Sequence, residues 1–309
     1  MTITVQRHTI SRQLLPRREP SIPKHTAQLL ARIEDSPFAL ESVMSTALVT
    51  AYERTSVDPD VSWVESWEAW VTAMQAGSAI FAAATATEAN VQCLIHHEKR
   101  TVSAFTQSET FVDVGHWVTA FYLAVICRNG QRLTVLCQIP IAKLRESGAV
   151  YNKYHYAWIE TLQAFWLGRE DFSDELVEAA SGTQPGSMST TDQDYVSRIT
   201  WPPMDLLRWR ATGQHDEFNR ALEEALRAHK DYWSADQERA DSCYGWVALA
   251  PLAMACFALD AGFPIEVDSD YLPKHLLKAT WAGEFPTRIN PWRRCSHHGR
   301  EPRGCRTPD

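Results

Sequence analysis

The chain has 309 residues, 45% of them hydrophobic, including 12 Trp, which is ample material for a packed core and excludes wholesale disorder. The net charge of −8 is uneven: residues 1–25 carry five Lys/Arg and one Glu (+4), residues 288–309 six Arg against Glu301 and Asp309 (+4), and the middle 19 basic against 35 acidic side chains (−16). Phosphate repels such an acidic body, which argues against non-specific nucleic-acid binding and suits a basic protein partner. The seven cysteines are an odd number, and Cys93, Cys127, Cys137, Cys243 and Cys256 sit among apolar residues. That pattern predicts reduced core thiols of a cytoplasmic protein and not a disulfide framework.

Residues 1–25 are basic and aperiodic, have no apolar central run of the secretory kind, and read as a flexible arm. A short helix is expected over Thr26–Glu34. Ser36 and Pro37 then read as a cap and first-turn proline, opening a helix to about Arg54. Asp58-Pro59 repeats that signal before a helix whose stripe holds Trp63, Trp67, Trp70, Met74 and Phe81. Its small residues Ala73, Ala76, Gly77 and Ala79 invite close approach by a neighbour. The aromatics read as core, with a ligand-stacking pocket as the alternative.

Between Asn90 and Phe105 the apolar period changes to two, which predicts one small β-hairpin with its turn at His97-Glu98-Lys99-Arg100. Helices are expected next over Trp117–Cys127, Arg132–Cys137 and from Pro140 to Gly148. Another runs from Tyr151 to Leu167 and is stopped by Gly168, and Ser173 caps one to about Ala180. Gly182–Thr191 reads as a disordered loop. Trp201-Pro202-Pro203 is expected to break the following helix in two. Asp216–Trp233 places Phe218, Leu222, Ala225 and Leu226 on one face, with Glu223 and Arg227 paired on another. Trp246–Leu259 carries no charge, so it reads as a helix enclosed on every side and kinked near Val247 by Pro251. At 14 residues it falls short of the ~18–20 that span a bilayer. Gly262, Phe263 and Pro264 stop it. Ile265–Val267 is extended, and a helix is expected to start near Tyr271-Leu272-Pro273. Residues 288–309 read as a disordered basic tail, dispensable for folding.

The fold expected is therefore all-α: antiparallel helical hairpins stacked loosely like a solenoid, in a single domain over 26–287, with the hairpin near 90–105. Trp67, Trp70, Phe121, Trp158, Leu222, Trp246, Leu252 and Phe257 are expected to be buried.

Chemistry is hard to find. There is no phosphate-binding glycine loop, no dinucleotide turn and no nucleophile elbow, so nothing points to catalysis or to a cofactor. Cys93, His96 and His97 superficially resemble a metal site, but strand alternation should turn His96 away from the other two. Cys295, His297, His298 and Cys305 fit no common zinc spacing. Glu266, Asp268 and Asp270 alternate, and three readings stay open: caps for the next helix, a partner-facing acidic edge, or a metal site. A second acidic group, Asp231, Asp236, Glu238 and Asp241, lies at the preceding turn. The two groups can form one patch only if the chain after Gly262 runs back along the helices.

Four blocks carry a family resemblance: residues 62–88 with Asp58-Pro59 ahead of them, containing SWEAWVTAMQAGSAIFAAATATE; GHWVTAFYLAVICR (115–128); HKDYWSADQERADS (229–242); and above all GWVALAPLAMACFALDAGFPIEVDSDYLPKHLL (245–277). With their connections, from about Asp35 to Thr287, they resemble the immunity protein 49 family, an all-α family of bacterial polymorphic-toxin systems. The resemblance implies a cytoplasmic, non-enzymatic antidote that binds a cognate toxin, with a basic, nuclease-like toxin the natural match for the acidic body. No residue inherits a role from it, so Glu266, Asp268 and Asp270 are nominated as partner-binding from their pattern alone. No nucleic acid or membrane is expected among the partners. A helical-repeat scaffold with a regulatory partner is the competing function, and an all-α metal-dependent enzyme built on the same three carboxylates is the third.

Overall fold

A computed structural model describes residues 3–11, 24–34, 36–184, 186 and 193–280. In chain order the elements are β1 (Ile3–Thr4), α1 (Lys24–Leu30), α2 (Pro37–Arg54), α3 (Val64–Ala84), β2 (Asn90–Ile95), β3 (Glu98–Ser103), α4 (Val114–Ile126), α5 (Gly130–Cys137), α6 (Ile141–Arg145), α7 (Lys153–Leu167), α8 (Phe172–Gly182) and α9 (Gln193–Tyr195). A π-helical turn, Val196–Thr200, leads into α10 (Trp201–Ala211). Then come α11 (His215–Trp233), α12 (Gln237–Asp241), a 3₁₀ turn (Cys243–Gly245), α13 (Leu249–Asp260), β4 (Val267–Asp268) and α14 (Lys274–Leu277). The fold is all-α with one antiparallel hairpin, β2–β3, plus a two-residue parallel pair, β1–β4.

Helices pack mainly on their sequence neighbours: α2 on α3, α3 on α4, α7 on α8 and α10 on α11. Small residues set the spacing. A Cβ at Gly77 of α3 would lie 3.2 Å from both the Cβ of Ala120 in α4 and the Sδ of Met44 in α2, so three helices meet where α3 has no side chain. The halves on either side of the 182–191 loop share one contiguous core, and the eight side chains expected inside are all buried. Residues 185 and 187–191 of that loop, and the tail 288–309 with its Cys and His, lie outside the described residues.

Helix α13 is the centre. Pro251 through Ala258 are buried without exception, and α4, α10, α11 and α14 surround them. The stretch Cys243–Asp260 is long and apolar enough by composition to cross a membrane, but 67% of it is buried inside the body, as a core helix is. Its end follows the sequence. Gly262 adopts φ +85°, and its N–H donates to Leu259 O (2.9 Å). The Phe263 N–H donates to Ala258 O (3.0 Å), and Phe263 folds back, buried.

Its start does not. Pro251 does not kink a longer helix; it lies in the first turn of one that begins at Leu249, where a missing N–H costs nothing. Nor do Pro202 and Pro203 break a helix in two. The chain stays helical from Gln193 to Ala211, because the turn before the prolines widens to an i→i+5 bond from Trp201 N–H to Val196 O. Asp58-Pro59 opens a turn rather than α3 itself. The Asp58 carboxylate nonetheless accepts from Ser62 N, Ser62 Oγ, Trp63 N and Ser66 Oγ at 2.7–3.0 Å. Burial alone would raise its pKa; the four donors hold it below the usual range. Helix α8 starts one residue before Ser173, with Asp171 at its cap position.

The arm is the largest correction. Residues 3–11 are not frayed. Ile3 N–H donates to Glu266 O (2.9 Å) and Val5 N–H to Asp268 O (3.0 Å), so β1 lies parallel to β4. Beyond the strand, the Arg7 guanidinium donates to Thr55 Oγ1 (3.1 Å), Thr55 O (3.0 Å) and Trp246 O (3.3 Å). His8 is buried; its N–H donates to the Tyr271 hydroxyl (3.0 Å), which also lies 2.8 Å from Nδ1, and Nε2 is 3.2 Å from Ala240 O. Two polar residues that make a sequence look like an arm here satisfy inward-facing carbonyls.

Replacing Arg7 by Ala strips Thr55 O and Trp246 O of that donor and should cost about 1–3 kcal/mol, read as a lower urea midpoint at unchanged m-value. A midpoint equal to that of the parent would mean that the Arg7 bonds contribute no stability.

Candidate partner-binding surface

After Gly262 the chain turns back. Asn219 of α11 donates to Pro264 O (2.8 Å) and accepts from Glu266 N–H (2.8 Å), which holds the segment at the start of that helix. Tyr271 then stacks edge-on against His229, ring centroids 4.8 Å apart. Ten residues of α11 separate Asn219 from His229, about 15 Å of helix. The return strand therefore runs along α11 toward its C-terminal end, the condition for the two acidic groups to join. Asp231 and Asp270 both act electrostatically on Tyr271.

Along this strand Glu266, Asp268 and Asp270 are exposed while Val267 is buried and Ser269 half-buried, the period-two alternation read from the sequence. The capping reading fails. Helix α14 begins only at Lys274, behind Pro273, and it is the Ser269 hydroxyl that accepts from Tyr271 N–H (3.2 Å) while donating to Val5 O (2.6 Å). Backbone of the edge is not on offer either, because β1 covers one side and Asn219 bonds the strand from α11. What the edge presents is carboxylate. Among the described residues no three His, Cys, Asp or Glu side chains gather to hold a metal ion. At the other acidic group, Asp236 caps α12 through Arg239 N–H (2.8 Å), and Asp231 lies 3.9 Å from Arg198.

The hairpin histidines are structural. The turn is His96-His97, both at positive φ (50° and 64°), a two-residue hairpin that asks for left-handed conformations. Strand alternation does not extend to them, so the expected faces were wrong. His96 N–H donates to Gln75 Oε1 (2.7 Å), and His97 Nε2 sits 3.5 Å from Glu68 Oε1, which pins the hairpin tip to α3.

A half-open cavity of about 460 Å³ is lined by α2, α4, α7, the π turn, α11 and the start of α13. Tyr52, Tyr122, Tyr151, Trp158, Tyr195, Trp233 and Tyr244 contribute its aromatic surface, with His155 and His229. Burial drives both histidines down to about 4, so they are neutral near pH 7. Tyr122 Oη accepts from Trp158 Nε1 (2.9 Å). The Tyr151 hydroxyl donates to Asp113 Oδ2 (2.9 Å), while Asp113 Oδ1 caps α4 through His116 N–H (2.9 Å) and meets His116 Nδ1 (2.8 Å). These aromatics come from six separate stretches, so no local pattern could announce the cavity.

A family model described as immunity protein 49 matches residues 58–276, which includes every one of α3 to α13 and the acidic return strand. No curated protein and no solved structure matches the chain.

The Asp113–His116 pair makes stability depend on pH. Burial lowers the His116 pKa, but the hydrogen bond and charge of Asp113, with Glu41 behind, outweigh it and raise the net value. Burial likewise raises Asp113, and its bonds to His116 and Tyr151 bring it below the usual range. A raised histidine stabilises fully below its unfolded value, about 6.5, and that contribution is lost as pH rises through the folded value; a depressed carboxylate loses its share as pH falls below about 4. His155 and His229, held low by burial, give the opposite slope below about pH 7, so the readout is a difference: the melting-temperature advantage of the parent over His116→Gln should shrink from about pH 6 to about pH 8.5. Parallel pH curves for parent and variant would sink this assignment.

Proposed function

The chain belongs to the immunity protein 49 family, and on that footing we propose that it is a non-enzymatic antidote, one that binds a cognate toxin and neutralises it in the cytoplasm. The observation that carries the reading is the family match over residues 58–276, which takes in both the enclosed helix α13 and the strand beside it. The shape of the surface supports it. Glu266, Asp268 and Asp270 extend along α11 toward Asp231, a line of exposed carboxylates on a body that carries −16 between its basic ends. Such a field speeds encounter with a basic partner and fixes its orientation. We take these three carboxylates as the toxin-facing residues and a basic, nuclease-like protein as the toxin. Since β1 already uses the backbone of this edge, recognition there works through charge and not through strand addition.

The test has two parts. Co-expression with the toxin encoded beside the gene should restore growth. In stopped-flow binding, the double variant Glu266→Lys/Asp268→Lys should slow association about tenfold at low salt, flatten its dependence on ionic strength and leave the melting temperature unchanged. Association that matches the parent at every ionic strength would remove this edge from the contact.

A further inference from the structure

The geometry points to the aromatic cavity as the receptor for one tyrosine side chain projecting from the toxin; this rests on the immunity reading and gives it an anchor.

Four observations narrow the occupant. First, among the described residues no carboxylate lines the cavity, and the one cation there, Arg198, is held at 2.6 Å by Asp194 and faces Asp231 at 3.9 Å. A lysine or arginine head would enter without a counter-charge, and an acid would meet a cation already neutralised. The occupant is therefore neutral. Second, the walls are rings and aliphatic groups, which suit a flat apolar body. Third, the wall holds a donor in need of an acceptor: the Tyr122 hydroxyl, already accepting from Trp158, has its own proton left to give. Among neutral protein side chains, tyrosine joins an aromatic body to an oxygen acceptor. Fourth, large rings stand exposed at this place. Tyr244 is 52% and Tyr195 37% exposed in the lining itself, and Trp201, 37% exposed, follows Thr200 of the lining. Exposed aromatics grouped around a pocket are what binding hot spots look like.

The cavity and the acidic edge flank the same helix, α11. Helix α11 turns Ala225, His229 and Trp233 to the cavity, and Arg227, Lys230 and Asp231 to a groove beside Thr4–Gln6 of the arm. A toxin steered by the carboxylates meets the cavity on the other side of the same helix.

The probe is p-cresol, the tyrosine side-chain analogue, with toluene as its hydroxyl-free control. Titrated into the full chain, p-cresol should give saturable NMR shifts at His155 and His229 and bind more tightly than toluene. Thr119→Trp, which fills the cavity from the outer part of α4, should abolish these shifts and speed dissociation of the neighbouring gene's toxin about tenfold or more at an unchanged melting temperature. Ala250→Trp replaces it if that variant does not fold. Absence of saturable p-cresol binding, equal affinity for toluene, or a filled variant that holds the toxin as tightly as the parent overturns the inference while leaving immunity intact. A parent chain that takes up p-cresol but neither binds nor neutralises the toxin overturns the immunity reading, and the toxin tyrosine with it.

Discussion

Helix α13 has no face to give to water. Eight consecutive residues, Pro251 to Ala258, are buried all round, so protein must stand on every side of it. Helices α4, α10 and α11 supply three sides, and the chain itself returns through α14. The demand extends to the backbone, because an enclosed helix end still carries unpaired groups. At the start, Ala248 N–H finds Tyr271 O (3.2 Å), and at the other end the turn through Gly262 uses the last carbonyls. Arg128 ties the margins together: its guanidinium pairs with Asp260 (2.9 Å) and donates to Leu276 O (3.0 Å) and Leu277 O (2.7 Å).

This enclosure shapes the surface proposed for binding. The chain leaving α13 runs back along α11 before α14, and a strand laid on a helix has an edge whose N–H and C=O groups need partners. The N-terminal arm fills that need, and Arg7 and His8 then reach Thr55, Trp246, Tyr271 and Ala240. A strand sealed in this way shows the solvent only alternate side chains, here all acidic. Charge on the outside thus follows from hydrogen-bond closure on the inside. The aromatic cavity has a related origin. Helix α13 begins three residues after Trp246, and the space beside that late start is lined by Val247, Leu249, Ala250 and Pro251, with tyrosines from α2 and α4 opposite.

Much of the fold was legible because it rests on local rules. The period of apolar residues located the long helices, and Glu223 met Arg227 at 2.6 Å as their spacing required. Gly168 (φ 67°) and Gly262 (φ 85°) ended α7 and α13. The errors share a cause. Pro251 is expected to kink a helix and Pro202 and Pro203 to break one, yet a proline interrupts a helix only where its N–H would have had a partner. Whether it does depends on where the helix begins and how wide its turns are. His96-His97 made a turn with residues that are not the usual ones, because Gln75 and Glu68 of α3 hold it from outside.

By itself the sequence determined the all-α class, the enclosed central helix, its stop signal, the acidic body and the family. Each is carried by composition or by residues within a few positions of one another. Only the tertiary structure decided that Ile3–Thr4 of the arm form a strand beside Val267–Asp268, that the return segment runs along α11 so that Asp270 nears Asp231, and that rings from six stretches surround one cavity. Those facts are contacts between residues far apart in sequence: Val5 with Asp268, Arg7 with Trp246, Tyr122 with Trp158. No local pattern encodes such a pair, because its energy exists only once the core has brought the two segments together.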